Sequence, residues 1–181
     1  MRTSDCDILI VPGLGGSGPD HWQSRWERQL STARRVHQRD WDAPDLDAWA
    51  ERVGQEALGA TRPVVIVAHG LGAHVVARAA SALAGRVVGA FLVAPPDLDD
   101  AARMPESVAG LRVPTAKLPF ASVLIASRTD PWCAYARAAE IAEAWGAPLV
   151  DAGEAGHLDT EAGYGPWPEG LMRFAGFLKR L

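Results

Sequence analysis

The chain has 181 residues, 48% of them hydrophobic and 22% charged, and a net charge of −4. That length is near the ~100–150 residues of a common domain, so residues 1–181 are read as one domain with a core that needs no disulfide or metal staple. Eighteen glycines and thirteen prolines show no period, which excludes a collagen, a coiled coil and a disordered tail. The acidic balance argues against a nucleic-acid partner, because a duplex binder usually presents a basic face. Arg25, Arg28, Arg34, Arg35 and Arg39 do cluster, but acids and tryptophans interrupt them, as on a solvated helix face. Cys6 and Cys133 are the two cysteines, too few for a disulfide framework or a thiolate zinc site. The opening MRTSDCDILIVPG lacks the long apolar stretch of a signal peptide, and no run of ~18 apolar residues could cross a membrane. A cytoplasmic protein without a membrane partner is expected.

Six short apolar or β-rich runs follow one another: 7–11, 35–38, 63–68, 87–93, 121–126 and 148–150. Four are continuously apolar, as strands buried on both faces of a parallel sheet are. Helical patterns lie between them. Trp22, Trp26 and Leu30 repeat at i, i+4, i+8, from a helix expected to begin near Asp20. Leu46, Trp49 and Val53 form a second stripe with Asp45 as cap. Residues 73–83 are apolar nearly all round and predict a buried helix. Residues 135–145 predict a fourth helix, and Leu171, Phe174, Phe177, Leu178 and Leu181 a fifth, entered through Pro168. Residues 95–119, with five prolines, read as a loop over the sheet edge with one short helix. Strands alternating with helices predict a three-layer, doubly wound α/β sheet with ligands at the strands' carboxyl ends.

Two glycine-rich turns stand at such ends. In the first, Gly13, Gly15 and Gly18 match G-x-G-x-x-G, with Asp40 about twenty residues further on, as in a dinucleotide site. Pro12 and Pro19 oppose that reading, since they stiffen the turn and delay the helix. An oxyanion loop ranks first, a tight loop without ligand second, and the dinucleotide site third. The second turn, Ala68-His69-Gly70-Leu71-Gly72, lies between a strand and a helix, the context of a nucleophile elbow. Its central residue is Gly70, where a hydrolase needs serine. Asp130 follows the fifth strand and His157 the sixth. Alone, the first reads as a turn cap and the second as a solvated loop residue. Elbow, acid and histidine together fall in the chain order of α/β-hydrolase triads.

On VPGLGGSGPDHWQSRWE, VVIVAHGLGAH, FLVAPPD, SRTDPWC and GHLDTEAGYGPWPEG, the sequence resembles the small α/β-hydrolase family of serine hydrolases that includes retinoblastoma-binding protein 9 and bacterial relatives. The resemblance covers most of the chain. It implies a compact α/β-hydrolase fold of about six mainly parallel strands with no large cap domain. It implies that Asp130 is the triad acid, His157 the base and Gly70 the nucleophile position, serine absent. The family's Leu-x-Cys-x-Glu motif is missing, so a retinoblastoma-protein partner is not implied.

Glycine has no side chain to attack a carbonyl, so no acyl-enzyme can form at residue 70. The expectation is weak or absent hydrolysis of small esters or amides. Asp130 would orient His157, and the backbone N–H groups of Leu14 and Leu71 would hold the oxyanion. Ser17, Ser127, Cys133 or a water activated by His157 are the candidate replacement nucleophiles. His21, His69 and His74 are additional candidates for the cleft, with core packing the preferred reading of the last two. No metal or cofactor is expected. A non-catalytic ligand- or protein-binding module on the same scaffold is the alternative.

Overall fold

The computed structural model describes all 181 residues, Met1–Leu181. Six strands, β1 (Asp7–Val11), β2 (Ala33–Arg35), β3 (Val64–His69), β4 (Val87–Val93), β5 (Ala121–Ala126) and β6 (Leu149–Asp151), form one sheet. The order is β2-β1-β3-β4-β5-β6 and every pairing is parallel. Five α-helices connect them: α1 (Trp22–Gln29), α2 (Leu46–Leu58), α3 (Leu71–Leu83), α4 (Tyr135–Trp145) and α5 (Pro168–Leu178).

The sheet is sandwiched because its central strands are apolar on both faces. Leu9, Ile66 and Leu92 pack on one side with Trp49, Val53, Val76 and Trp145 from α2, α3 and α4. Their sequence neighbours Ile8, Ile10, Val67 and Phe91 pack on the other with Trp22, Trp26, Phe174 and Phe177 from α1 and α5. This period-2 division of continuous apolar runs is what double burial requires. Trp22, Trp26 and Trp49 are therefore core residues, as their helical spacing predicts.

Several element bounds differ from the sequence expectation, those of β3 and β6 by one residue at each end. The second strand is Ala33–Arg35 rather than 35–38. It is a half-buried edge strand that lacks the apolar signature of the others. Helix α3 starts at Leu71, two residues early, so the elbow leads straight into it. The proline-rich 95–119 segment does not lie over a sheet edge. It joins β4 to β5, adjacent strands inside the sheet, and so crosses the carboxyl end of the sheet, with one short 3-10 turn at Glu106–Val108. Asp45 caps α2 as expected, accepting from the N–H groups of Asp47 and Ala48.

The chain leaves β1 toward β2 on one side and continues from β3 toward β6 on the other. The crevice of such a sheet opens where that direction changes, between the carboxyl ends of β1 and β3. The turns that follow those two strands are the glycine-rich ones.

Candidate active site

Gly70 holds φ 57 and ψ −129 between β3 and α3, a backbone that side-chain-bearing residues rarely adopt. The sharp turn needs room beside it. A Cβ at Gly72 would overlap the carbonyl oxygens of Val11 and Pro12, and one at Gly13 would lie 2.8 Å from the Leu71 nitrogen. Glycine at 13 and 72 thus lets the loop after β1 lie directly against the elbow. A Cβ built on Gly70 would point at His157, 3.4 Å from Nε2.

His157 stands in the loop after β6, which Gly156 (φ 54) and Leu158 (φ 54) bend sharply on either side. Three contacts fix it. The Asp130 carboxylate lies 3.0 and 3.1 Å from Nδ1. A carboxylate only accepts, so Nδ1 carries the proton and the lone pair is on Nε2, facing residue 70. The His69 Nε2–H donates to the His157 carbonyl at 2.8 Å. The next carbonyl, of Leu158, accepts from the Trp22 indole at 2.9 Å, which ties the loop to α1. Asp130 is itself 7% exposed and accepts from the Trp132 N–H at 2.9 Å. Gly70, Asp130 and His157, drawn from three separate strand ends, therefore converge.

Above them lies a cavity of about 270 Å³, slightly below the usual size of a ligand pocket. Leu14 and Leu71 line it beside Gly70. The Leu71 N–H is in the first turn of α3, where donors have no intrahelical acceptor and the helix dipole is positive. Pro96, Leu98, Met104, Pro105 and Val108, all from the 95–119 segment, form an apolar wall. Trp132, Asp159 and Glu161 also line it, with the Trp132 ring 6.5 Å from that of His157. Sequence reading missed these three and the wall, because only the convergence of four loops reveals them. The advance signal was that Pro96, Trp132, Asp159 and Glu161 stand inside the quoted motifs; Met104, Pro105 and Val108 had none.

The candidate replacement nucleophiles fare differently. Ser17 lines the cavity, but its hydroxyl donates to Gln23 Oε1 at 2.7 Å. Ser127 is buried away from the cavity, where its Oγ accepts from the N–H groups of Thr129 and Ala155. Cys133 is also outside the cavity, and burial pushes its thiol up to about 12. None of the three is hydrogen-bonded to His157.

The other histidines divide. His21 and His69 both line the cavity, and their rings run in a row with that of His157, centroids 4.8 Å apart at each step. Burial drives His69 well below the ordinary histidine value, and the neighbouring His157 and His21 add to this. Burial likewise lowers His21 to about 4. Both are neutral at pH 7. His74 is in the core as expected, yet only half satisfied: Nε2 meets the Pro96 carbonyl at 2.7 Å while Nδ1 has no partner.

The dinucleotide fingerprint does not assemble. Asp40 caps the turn at Asp42 and Ala43 and lines a separate groove, away from Gly13. The carbonyls of Gly16 and Ser17 are occupied by the Arg35 guanidinium. No group of three or more His, Cys, Asp or Glu side chains is arranged to hold a metal ion, and no helix is long and apolar enough to cross a membrane.

Comparison with known proteins bears on the family and the fold. A family profile described as serine hydrolase matches residues 8–176. Among solved structures, a candidate YdeN-like hydrolase from Pectobacterium atrosepticum is 35% identical, with a TM-score of 0.86 over 97% of this chain and 91% of that one. The ydeN gene product of B. subtilis is 19% identical, with a TM-score of 0.74 over 95% and 98%. The Pyrococcus furiosus esterase PF2001 is 18% identical, with a TM-score of 0.71 over 99% and 83%. No curated protein sequence matches significantly.

Proposed function

This chain belongs to the serine hydrolase family, and we propose that it carries, on a single domain spanning residues 1–181, an esterase- or amidase-type site from which only the nucleophile is missing. The observation that carries this reading is the position of Gly70: its absent Cβ would lie 3.4 Å from the Nε2 of a histidine already held by a buried aspartate. A serine hydroxyl placed there would be within hydrogen-bond reach of a base with a free lone pair.

In this reading Asp130 fixes the His157 tautomer and stabilises the imidazolium. The Leu14 and Leu71 N–H groups receive the negative charge that develops on the carbonyl oxygen. With glycine at 70, the remaining route is direct attack by water. His157 Nε2 takes a proton from water as its oxygen bonds to the acyl carbon. The C–O or C–N bond then breaks, and the proton passes to the departing oxygen or nitrogen. No covalent intermediate forms, so turnover is weak or absent. Loss of a triad member leaves roughly 10³–10⁴-fold acceleration over water. The substrate is a small ester or amide, since the cavity holds about 270 Å³. Two free, buried cysteines are in keeping with a reducing cytoplasmic setting.

The test is turnover of p-nitrophenyl acetate by the chain as it is, by its Gly70→Ser variant and by Gly70→Ser/His157→Ala. The reading predicts little or none, a large gain, and loss of that gain. Robust turnover by the unmodified chain would contradict it. A folded Gly70→Ser variant that stays inactive would favour the alternative, a binding module on the hydrolase scaffold.

A further inference from the structure

The cavity is electrically lopsided. Asp159 and Glu161 line it, and neither forms an ion pair with any lysine, arginine or histidine of the chain. No lysine or arginine lines it, and its two deeper histidines are neutral at pH 7. Asp159 accepts the Ala162 N–H at 2.9 Å, which positions one carboxylate oxygen without neutralising it. Trp132 lines the same cavity. It is 36% exposed, its ring stands edge-on to His157 with centroids 6.5 Å apart, and an indole face attracts cations.

A second unsatisfied group stands in the wall of the cavity. His21 is 4% exposed and its Nδ1 accepts the Gln23 N–H at 3.1 Å. The proton is therefore on Nε2, on the far edge of the ring from Gln23, and this buried donor has no partner in the protein. Buried donors without acceptors are rare and costly. An acceptor reaching this edge of the ring would relieve that cost.

Direction follows from the chemistry. In acyl transfer the departing atom must lie near the histidine that returns the proton to it. Asp159 and Glu161 lie two and four residues after His157, and Trp132 two after Asp130, so all three enter the cavity from the loops that carry the base and the acid. The apolar wall of Leu98, Met104 and Val108 remains for the acyl group. We infer that the cavity is selective for acyl compounds whose leaving group carries a positive charge, such as the ester of an amino alcohol, with Asp159, Glu161 and Trp132 holding the cation. This rests on the hydrolase reading for its orientation, but it predicts a binding preference that needs no turnover.

The unmodified chain, which lacks the nucleophile, can be titrated with intact esters by calorimetry at low salt. Acetylcholine and 3,3-dimethylbutyl acetate share a shape and differ in charge. The cationic ester should bind about tenfold tighter, and the preference should shrink with added salt. The Asp159→Asn/Glu161→Gln variant keeps the acceptor for Ala162 and should bind both esters alike. Trp132→Leu should lose part of the preference at constant fold, checked by circular dichroism. Equal binding of the two esters, binding of neither, or a preference that survives loss of both carboxylates would overturn the inference. The hydrolase reading is judged separately, by p-nitrophenyl acetate turnover in Gly70→Ser, a neutral substrate with an uncharged acyl group. Success there with no cation preference leaves the reading standing and removes this inference alone.

Discussion

A serine at position 70 would have to hold φ 57 and ψ −129, which glycine adopts without strain. Strain of this kind costs of order 1–3 kcal/mol, so Gly70→Ser should lower stability while it adds a nucleophile. Urea unfolding should show a loss of about 1–2 kcal/mol; a more stable variant would contradict the strained-elbow account. Gly72 is under a harder constraint, because its Cβ position is already filled by backbone oxygens. Gly72→Ala should cost several kcal/mol or prevent folding, measured by the same unfolding curve. Cys133 should be inert: with its thiol near 12, it should not react with a disulfide reagent at pH 8 until the chain is denatured. Asp130, His157 and the vacancy at Gly70 were legible in the sequence because each sits directly after a strand and the three keep triad order. The donor on His21 and the carboxylates of Asp159 and Glu161 were not. Their meaning depends on which loops meet above the sheet, and no local spacing encodes that.

Elements explain which parts of the architecture the sequence displays. Strands β1, β3, β4 and β5 are buried on both faces and therefore spell out continuous apolar runs. Strand β2 is a three-residue edge, half-buried, with two arginines, so its run carried no comparable signal. The 95–119 segment was recognised as irregular from its prolines, but its place at the mouth of the site follows from strand order. Arg137 on α4 fastens the start of this segment, reaching Asp97 at 3.2 Å and Asp99 at 2.8 Å. Partial exposure keeps the pairs modest, on the order of 1 kcal/mol together. Arg137→Met should leave global stability nearly unchanged yet speed proteolysis between residues 97 and 113. Unchanged proteolysis would show that the wall stands without this clamp.

For the molecule as a whole, the buried histidines set its response to acid. Burial holds His21 and His74 near 4, against 6.5 when unfolded, and lowers His69 as well. Between about pH 6.5 and 4 the unfolded chain binds more protons than the folded one, so stability is full above 6.5 and falls as pH drops through that window. A group shifted that far contributes about 3 kcal/mol across it. Urea midpoints taken from pH 7.5 to 4.5 should fall, and His74→Gln should flatten the slope; a flat profile for the parent chain would contradict neutral burial of these rings. The central claim is that the entire scaffold is hydrolytic machinery complete but for one hydroxyl. Intact-mass measurement after treatment with a fluorophosphonate addresses it most directly. The account predicts no adduct on the unmodified chain and a single adduct, mapped to residue 70, on Gly70→Ser, lost when His157→Ala is added. An adduct on the unmodified chain, or none on a folded Gly70→Ser variant, would contradict it.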